Sequence, residues 1–256
     1  MLGLSRAVSN GNIRLKSTTA INSTGSQTYT IPAGTLYLEI ECWGAGGGGG
    51  AGGSQSGRSG TAYQAGGGGG GGGWVKTGYH ISDILANDTL GFTVGAGGAG
   101  ASSIGSANVG TDGGDTTLDT HARGLTQIND FTGDDAVTAG GGEGNLSGFA
   151  INVTDSNGEG GDTDGAYGAG SDRDAGTDGG ARPSQSGTAH NGAAGGGGGG
   201  DDGGDGGAGG IAAGTDADPG EKPGGGGGGG AGAGLGTKVG KAGADGKVIV
   251  RAYGIG

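Results

Sequence analysis

Uninterrupted glycine runs at 46–50, 66–73, 195–200 and 224–230 constrain this chain more than any other feature. Inside a helix or strand each glycine costs roughly 0.5–1 kcal/mol relative to alanine, so neither form is open to them. A chain without side chains can instead take the polyproline-II conformation, with three residues per turn. Such rods pack closely enough for backbone N–H and C=O groups to bond between neighbours. At about 3.1 Å per residue, the run Gly66 to Gly73 spans about 25 Å. Collagen is excluded: glycine does not recur strictly at every third residue, and there are only 4 prolines. Disorder is the competing state for so much Gly, Ser and Asp, because little apolar burial is available to offset chain entropy. The expectation taken here is an ordered glycine architecture.

Glycine supplies 79 of 256 residues, while Phe (3), Trp (2) and Met (1) are scarce. A conventional core can therefore serve about one small domain. Glycine tracts also offer few side chains with which to tune a pKa, so no enzyme and no catalytic site are expected. G-x-G-x-x-G patterns arise by chance in such a sequence, and none follows a strand and opens a helix. A phosphate loop at Gly240-Lys241 fails because Leu235 and Ala242 stand where glycine and Ser or Thr are required. His80, His121 and His190 are too scattered for local metal-ligand spacing.

Period-two patterns interrupt the glycine. Gln27 to Ile31 leads into the turn Pro32-Ala33-Gly34; then Leu36, Leu38, Ile40 and Cys42 alternate with Tyr37, Glu39, Glu41 and Trp43. Further strands are predicted at Trp74 to Ile81, around Leu90, Phe92 and Val94, at Asp115 to Leu118, around Phe149, Ile151 and Val153, and at Lys247 to Tyr253. Residues 82–87 read as one helical turn or a loop. The fold class is mainly β: a small antiparallel β-sandwich carrying a bundle of polyglycine-II helices and long irregular loops. Cys42, the single cysteine, excludes an intrachain disulfide and reads as a buried hydrophobe.

Charge divides the chain further. Residues 112–218 hold 19 acidic against 3 basic side chains, whereas residues 1–24 carry Arg6, Arg14 and Lys16 with no acid. Four regions follow: an attachment arm at 1–26, a β framework with glycine tracts at 27–118, an exposed acidic insertion at 119–218, and a glycine tract with the closing strand at 219–256. Nucleic acid is a poor partner for the acidic region. No segment reaches the roughly 20 apolar residues of a membrane helix, and Met1 to Asn10 lacks a secretory h-region. Assembly in a cytosol, with no membrane insertion, is expected.

From Tyr29-Thr-Ile-Pro-Ala-Gly34 through Leu36 to Trp43 and Gly44-Ala-Gly-Gly-Gly-Gly-Gly50, the sequence resembles the glycine-rich domain of tailed-phage fibre proteins and adhesins. The likeness continues at Gly66 to Trp74-Val75, at Phe92-Thr-Val-Gly-Ala-Gly-Gly-Ala-Gly100, and at Ala244-Asp-Gly-Lys-Val-Ile-Val-Arg-Ala-Tyr253. It implies a virion-surface structural protein used for host attachment or for building a fibre. A capsid decoration, neck or shaft protein without a receptor is the alternative.

On this reading Arg6, Arg14 and Lys16 dock the arm to other virion proteins. Tyr167, with Asp162, Asp164, Asp172 and Asp174, faces a host glycan or protein, because loops on a rigid scaffold are where binding resides. Homo-oligomers are expected, trimers among them, although no heptads are present. No cofactor is expected. Calcium is weighed at Asp155, Asn157 and Glu159, which imitate half of an EF-hand loop, but Ala166 stands where a bidentate glutamate is required. Solvated acids keeping the surface soluble explain the same residues.

Overall fold

The computed structural model describes residues 12–57, 60–81, 88–103, 109–120, 125–127, 138–139, 172–174, 176–180, 195, 197–198, 202–211, 216–231 and 238–255. Its regular elements are all strands, and no helix occurs among the described residues. They are β1 (Ile13–Ile21), β2 (Gly25–Thr30), β3 (Thr35–Trp43), β4 (Gly53–Gly57), β5 (Gly60–Gln64), β6 (Trp74–Ile81), β7 (Thr89–Val94), β8 (Thr116–Thr120), β9 (Leu125–Gln127), β10 (Thr138–Ala139), β11 (Asp172–Asp174) and β12 (Lys247–Ile255).

Two antiparallel sheets form the framework. One has the order β1-β12-β3-β6-β11, with β9 sharing the outer edge of β6; the other has the order β10-β8-β7-β2. Alternation decides what each strand buries. In β3, Leu38, Ile40 and Cys42 point inward and stand opposite Ala252, Val250 and Val248 of β12. The same three residues face Tyr79, Thr77 and Val75 of β6 on the other side. From the second sheet Tyr29, Leu90, Phe92, Val94 and Leu118 complete a single core. That shared core makes the pair of sheets a sandwich. The turn entering β3 is closed by Thr35 N–H donating to Pro32 O at 3.3 Å, with Gly34 at φ 72° in its third position, where a left-handed residue is needed.

Residues 13–21, within the stretch read as an attachment arm, form β1, the edge strand beside β12. A register shift between Leu15 and Ser17 turns Ile13 and Leu15 onto the outer face and Ser17, Thr19 and Ile21 onto the inner one. The strand predicted at Phe149 to Val153, and residues 82–87, lie outside the described residues.

Among the described residues, the glycine tracts that adjoin strands leave the sandwich from one end. Residues 44–52 follow Trp43, 66–73 precede Trp74, 95–101 follow Val94, 109–115 precede Thr116, and 238–246 precede Lys247. Trp43 is in register with both Trp74 and Lys247, so these exits are neighbours. Hydrogen bonds between tracts follow a period of three. Gly44, Gly47 and Gly50 donate to Gly73, Gly70 and Gly67; Ala45 and Gly48 donate to Gly114 and Thr111; Gly46 and Gly49 donate to Ala244 and Lys241. Successive residues of this tract thus bond three different neighbours. Two more, Gly98 and Gly227, donate to the carbonyls of Gly46 and Gly47, each at 2.9 Å. Burial repeats in threes as well: Gly204, Gly207 and Gly210 are buried, while Asp202, Asp205 and Ala208 are exposed.

Candidate functional site

Lying opposite the core, the outer face of the larger sheet is built from the alternate residues of β12, β3 and β6. Nearest the glycine tracts, Lys247, Trp43 and Trp74 stand in register. The two indole rings are 6.3 Å apart, and Lys247 Nζ lies 5.6 Å from the Trp43 ring. The next rows bring Glu41, Lys76, Glu39 and Arg251 together. Lys76 Nζ is 3.3 Å from Glu39 and 3.7 Å from Glu41, while Arg251 bonds Glu39 at 2.9 Å and also bonds Glu41. Two acids and two bases neutralise one another. The hydrogen bond to Glu41 leads the interactions that hold the Arg251 guanidinium above its ordinary pKa; for Lys76 desolvation is the largest cause and lowers the pKa, but Glu39 and Glu41 together raise it above the ordinary value. Carboxylates clamped in this way are structural partners, not free general bases.

Farthest from the tracts, Tyr37 packs on Tyr253 with ring centroids 5.4 Å apart and edge-on to His80 at 5.9 Å. Beside them Ile13 pairs with Ile255 and Leu15 with Tyr253. These aliphatics are 59%, 44% and 53% exposed for Ile13, Ile255 and Leu15, respectively, an apolar corner uncovered among the described residues. Sequence reading gave these positions no joint role, because their cluster depends on three-strand register. No side-chain hydrogen bond of His80 is found among the described residues. Cys42 is fully buried, and burial pushes its thiol well above the usual range, so it is neither a ready nucleophile nor a ready ligand.

The residues singled out in the sequence are distributed as follows. Arg14 and Lys16 lie in β1, exposed near the apolar corner, and Lys16 Nζ donates to Ala33 O at 2.9 Å. Asp172 and Asp174 lie in β11, opposite Lys76 and Trp74, on a sheet edge at the foot of the glycine tracts. They are strand residues, not members of a loop tip. Arg6, Asp155, Asn157, Glu159, Asp162, Asp164 and Tyr167 lie outside the described residues. No group of three or more His, Cys, Asp or Glu placed to hold a metal ion is found among the described residues. Nor is any helix there long and apolar enough to cross a membrane.

The family profile described as "Glycine-rich domain" matches residues 21–253. The chain belongs to this glycine-rich domain family. Within this glycine-rich domain the match takes in strands β2 to β11 and every described tract, and of the strands leaves outside all of β1 but Ile21 and the last two residues of β12. No curated protein matches the chain.

The geometry of the glycine-rich domain defines two poles. Ile13 and Ile255, at the outer ends of β1 and β12, are paired at the pole away from the tracts. At the opposite pole lie the β4–β5 hairpin and the described tract ends beside it, among them Gly52, which bridges Lys238, and Gly66, which donates to Gly230.

Proposed function

We propose that this chain is a non-enzymatic virion structural protein of a tailed phage, of the tail-fibre or adhesin type, acting at the virion surface after assembly in the host cytoplasm. The observation that carries the reading is the two-pole architecture, with the start of β1 and the end of β12 at one pole and the β4–β5 hairpin with the far ends of the described tracts at the other. The resemblance at residues 29–50 and 244–253 supplies the biological setting. In this reading the tracts are polyglycine-II rods, whose signature is the period of three in bonding and burial, and they act as a stiff spacer. The β1 end docks to other virion proteins through Arg6, Arg14 and Lys16, and the acidic connections, with Tyr167, Asp162 and Asp164, meet a host glycan or protein.

A purely structural spacer without a receptor is the second reading. It is favoured by the position of Asp172 and Asp174 in a sheet-edge strand, which removes two of five receptor candidates from the loops. Replacing residues 140–171 with a short linker separates the two, because this leaves β11 and the bonded tracts 176–180 and 203–210 in place. Labelled protein is measured on cells of a host that its virus infects, with and without that replacement. Binding that is lost with 140–171 supports the adhesin; no binding by the folded intact protein leaves the spacer.

A further inference from the structure

Tyr37 and Tyr253 stand in register across β3 and β12, on the outer face of the larger sheet. Their ring centroids are 5.4 Å apart and the planes are tilted by 49°, within the contact range of aromatic pairs. The neighbours fix this placement. The phenol end of Tyr37 lies over Gly78, where an added Cβ would overlap its hydroxyl and stand 3.0 Å from Cε2 and Cζ. His80 meets the same ring edge-on at 5.9 Å. Tyr37 and Tyr253 are both partly exposed, whereas Tyr29 and Tyr79 are core residues. Every described glycine tract lies between positions 37 and 253 in the sequence. The single cysteine, Cys42, offers no covalent link across that span.

We propose that Tyr37 and Tyr253 form an oxidative cross-linking site, at which a one-electron oxidant joins them as dityrosine and staples the closing strand β12 to β3. Each phenol gives one electron to the oxidant and one proton to solvent. The two phenoxyl radicals then couple through a ring carbon ortho to each hydroxyl. The coupled carbons each lose their hydrogen as a proton, and the phenolic oxygens take protons back. Two electrons and two protons leave in all, and one hydrogen peroxide, acting through a haem peroxidase, takes them up to give two waters. Proximity selects the pair, because a radical on either ring has its coupling partner already in place. The product closes a loop that contains every described tract, so it restricts the unfolded chain as a disulfide of the same span would. The inference stands on the cross-strand geometry and is independent of any role on a virion.

Treatment of the dilute full-length protein with hydrogen peroxide and a haem peroxidase tests it, alongside a second arm using a ruthenium photo-oxidant with persulfate. A separate reaction with N-acetyltyrosine checks each oxidant, and circular dichroism checks the folding of each variant. Dityrosine is read by fluorescence and located by fragmentation of tryptic peptides. Cleavage after Lys16, Arg58 and Arg251 releases residues 17–58 and 252–256, and these are expected to be joined in a chain that stays monomeric on a denaturing gel. Tyr37→Phe and Tyr253→Phe are each expected to abolish the joined peptide. Tyr29→Phe, which removes the other tyrosine of 17–58, is expected to leave it. The cross-linked protein is expected to unfold at a higher denaturant concentration than the untreated one. A folded wild type that yields no joined peptide while N-acetyltyrosine couples overturns the inference. So does a joined peptide that survives Tyr37→Phe, or dityrosine formed chiefly between chains.

Discussion

At the scale of single residues, the glycine tracts are governed by steric exclusion. A Cβ added at Gly48 would sit inside van der Waals contact with the Ala99 carbonyl, 2.5 Å from its carbon. At Gly197 the nearest atoms are Gly204 O and Thr177 Oγ1, both 3.7 Å away. Gly48→Ala is therefore expected to destabilise the fold by roughly 2–3 kcal/mol through overpacking, and Gly197→Ala by less than about 0.5 kcal/mol, as measured by denaturant unfolding. Asp245 is the charged counterpart of this tight packing. Its carboxylate accepts the Gly97 N–H at 3.0 Å and the Lys222 ammonium at 2.6 Å. Desolvation works against the charged form, but these bonds outweigh it and hold the pKa below the usual carboxylate range. Because the folded pKa is the lower one, the stabilisation is present above the unfolded pKa near 3.8 and is lost as pH falls through the folded value. Asp245→Asn is expected to lower stability at neutral pH by roughly 1 kcal/mol and to flatten the decline below about pH 4. The need for glycine was legible in composition; which tract meets which was not, since a run of identical residues carries no pairing information.

Among elements, strands were legible wherever apolar alternation was unbroken. β3, β6, β7 and β12 stand close to where Leu36 to Cys42, Trp74 to Ile81, Leu90 to Val94 and Lys247 to Tyr253 place them. β1 was hidden for two physical reasons: the register shift at Leu15/Ser17 breaks the period, and its inward positions are filled by Ser17 and Thr19. The three-residue β11 is too short for a periodic signal, and it owes its place to pairing with β6. The ion-pair network on the outer face likewise emerges from register across three strands. It makes a measurable demand: Arg251→Met leaves Glu41, 5% exposed, with Lys76 as its remaining cation among the described residues, at 3.7 Å. A loss of about 1–3 kcal/mol in denaturant unfolding is expected, with partial recovery when Glu41→Gln is added, because the uncompensated charge rather than the missing contact dominates.

For the whole molecule, the sandwich and the bundle depend on each other. The sandwich fixes one end of each of the tracts 44–52, 66–73, 95–101, 109–115 and 238–246, which reduces the entropy that long glycine segments must lose on ordering. The tracts in turn satisfy one another's backbone groups, as when Gly47 N–H donates to Gly70 at 2.8 Å and Gly227 N–H donates to Gly47 at 2.9 Å. Of the candidate site, the opposition of a basic end to an acidic region was visible in charge counts alone. The two-pole arrangement was not, because it follows from which ends of which strands lie together. Hydrogen exchange of the backbone amides, resolved over residues 44–52 and compared with β3, tests the ordered bundle most directly. The account predicts that Gly46 to Gly50 are protected nearly as strongly as Leu38 to Cys42, opening only with global unfolding. Exchange of those glycines at the rate of an unstructured peptide while β3 stays protected would contradict it.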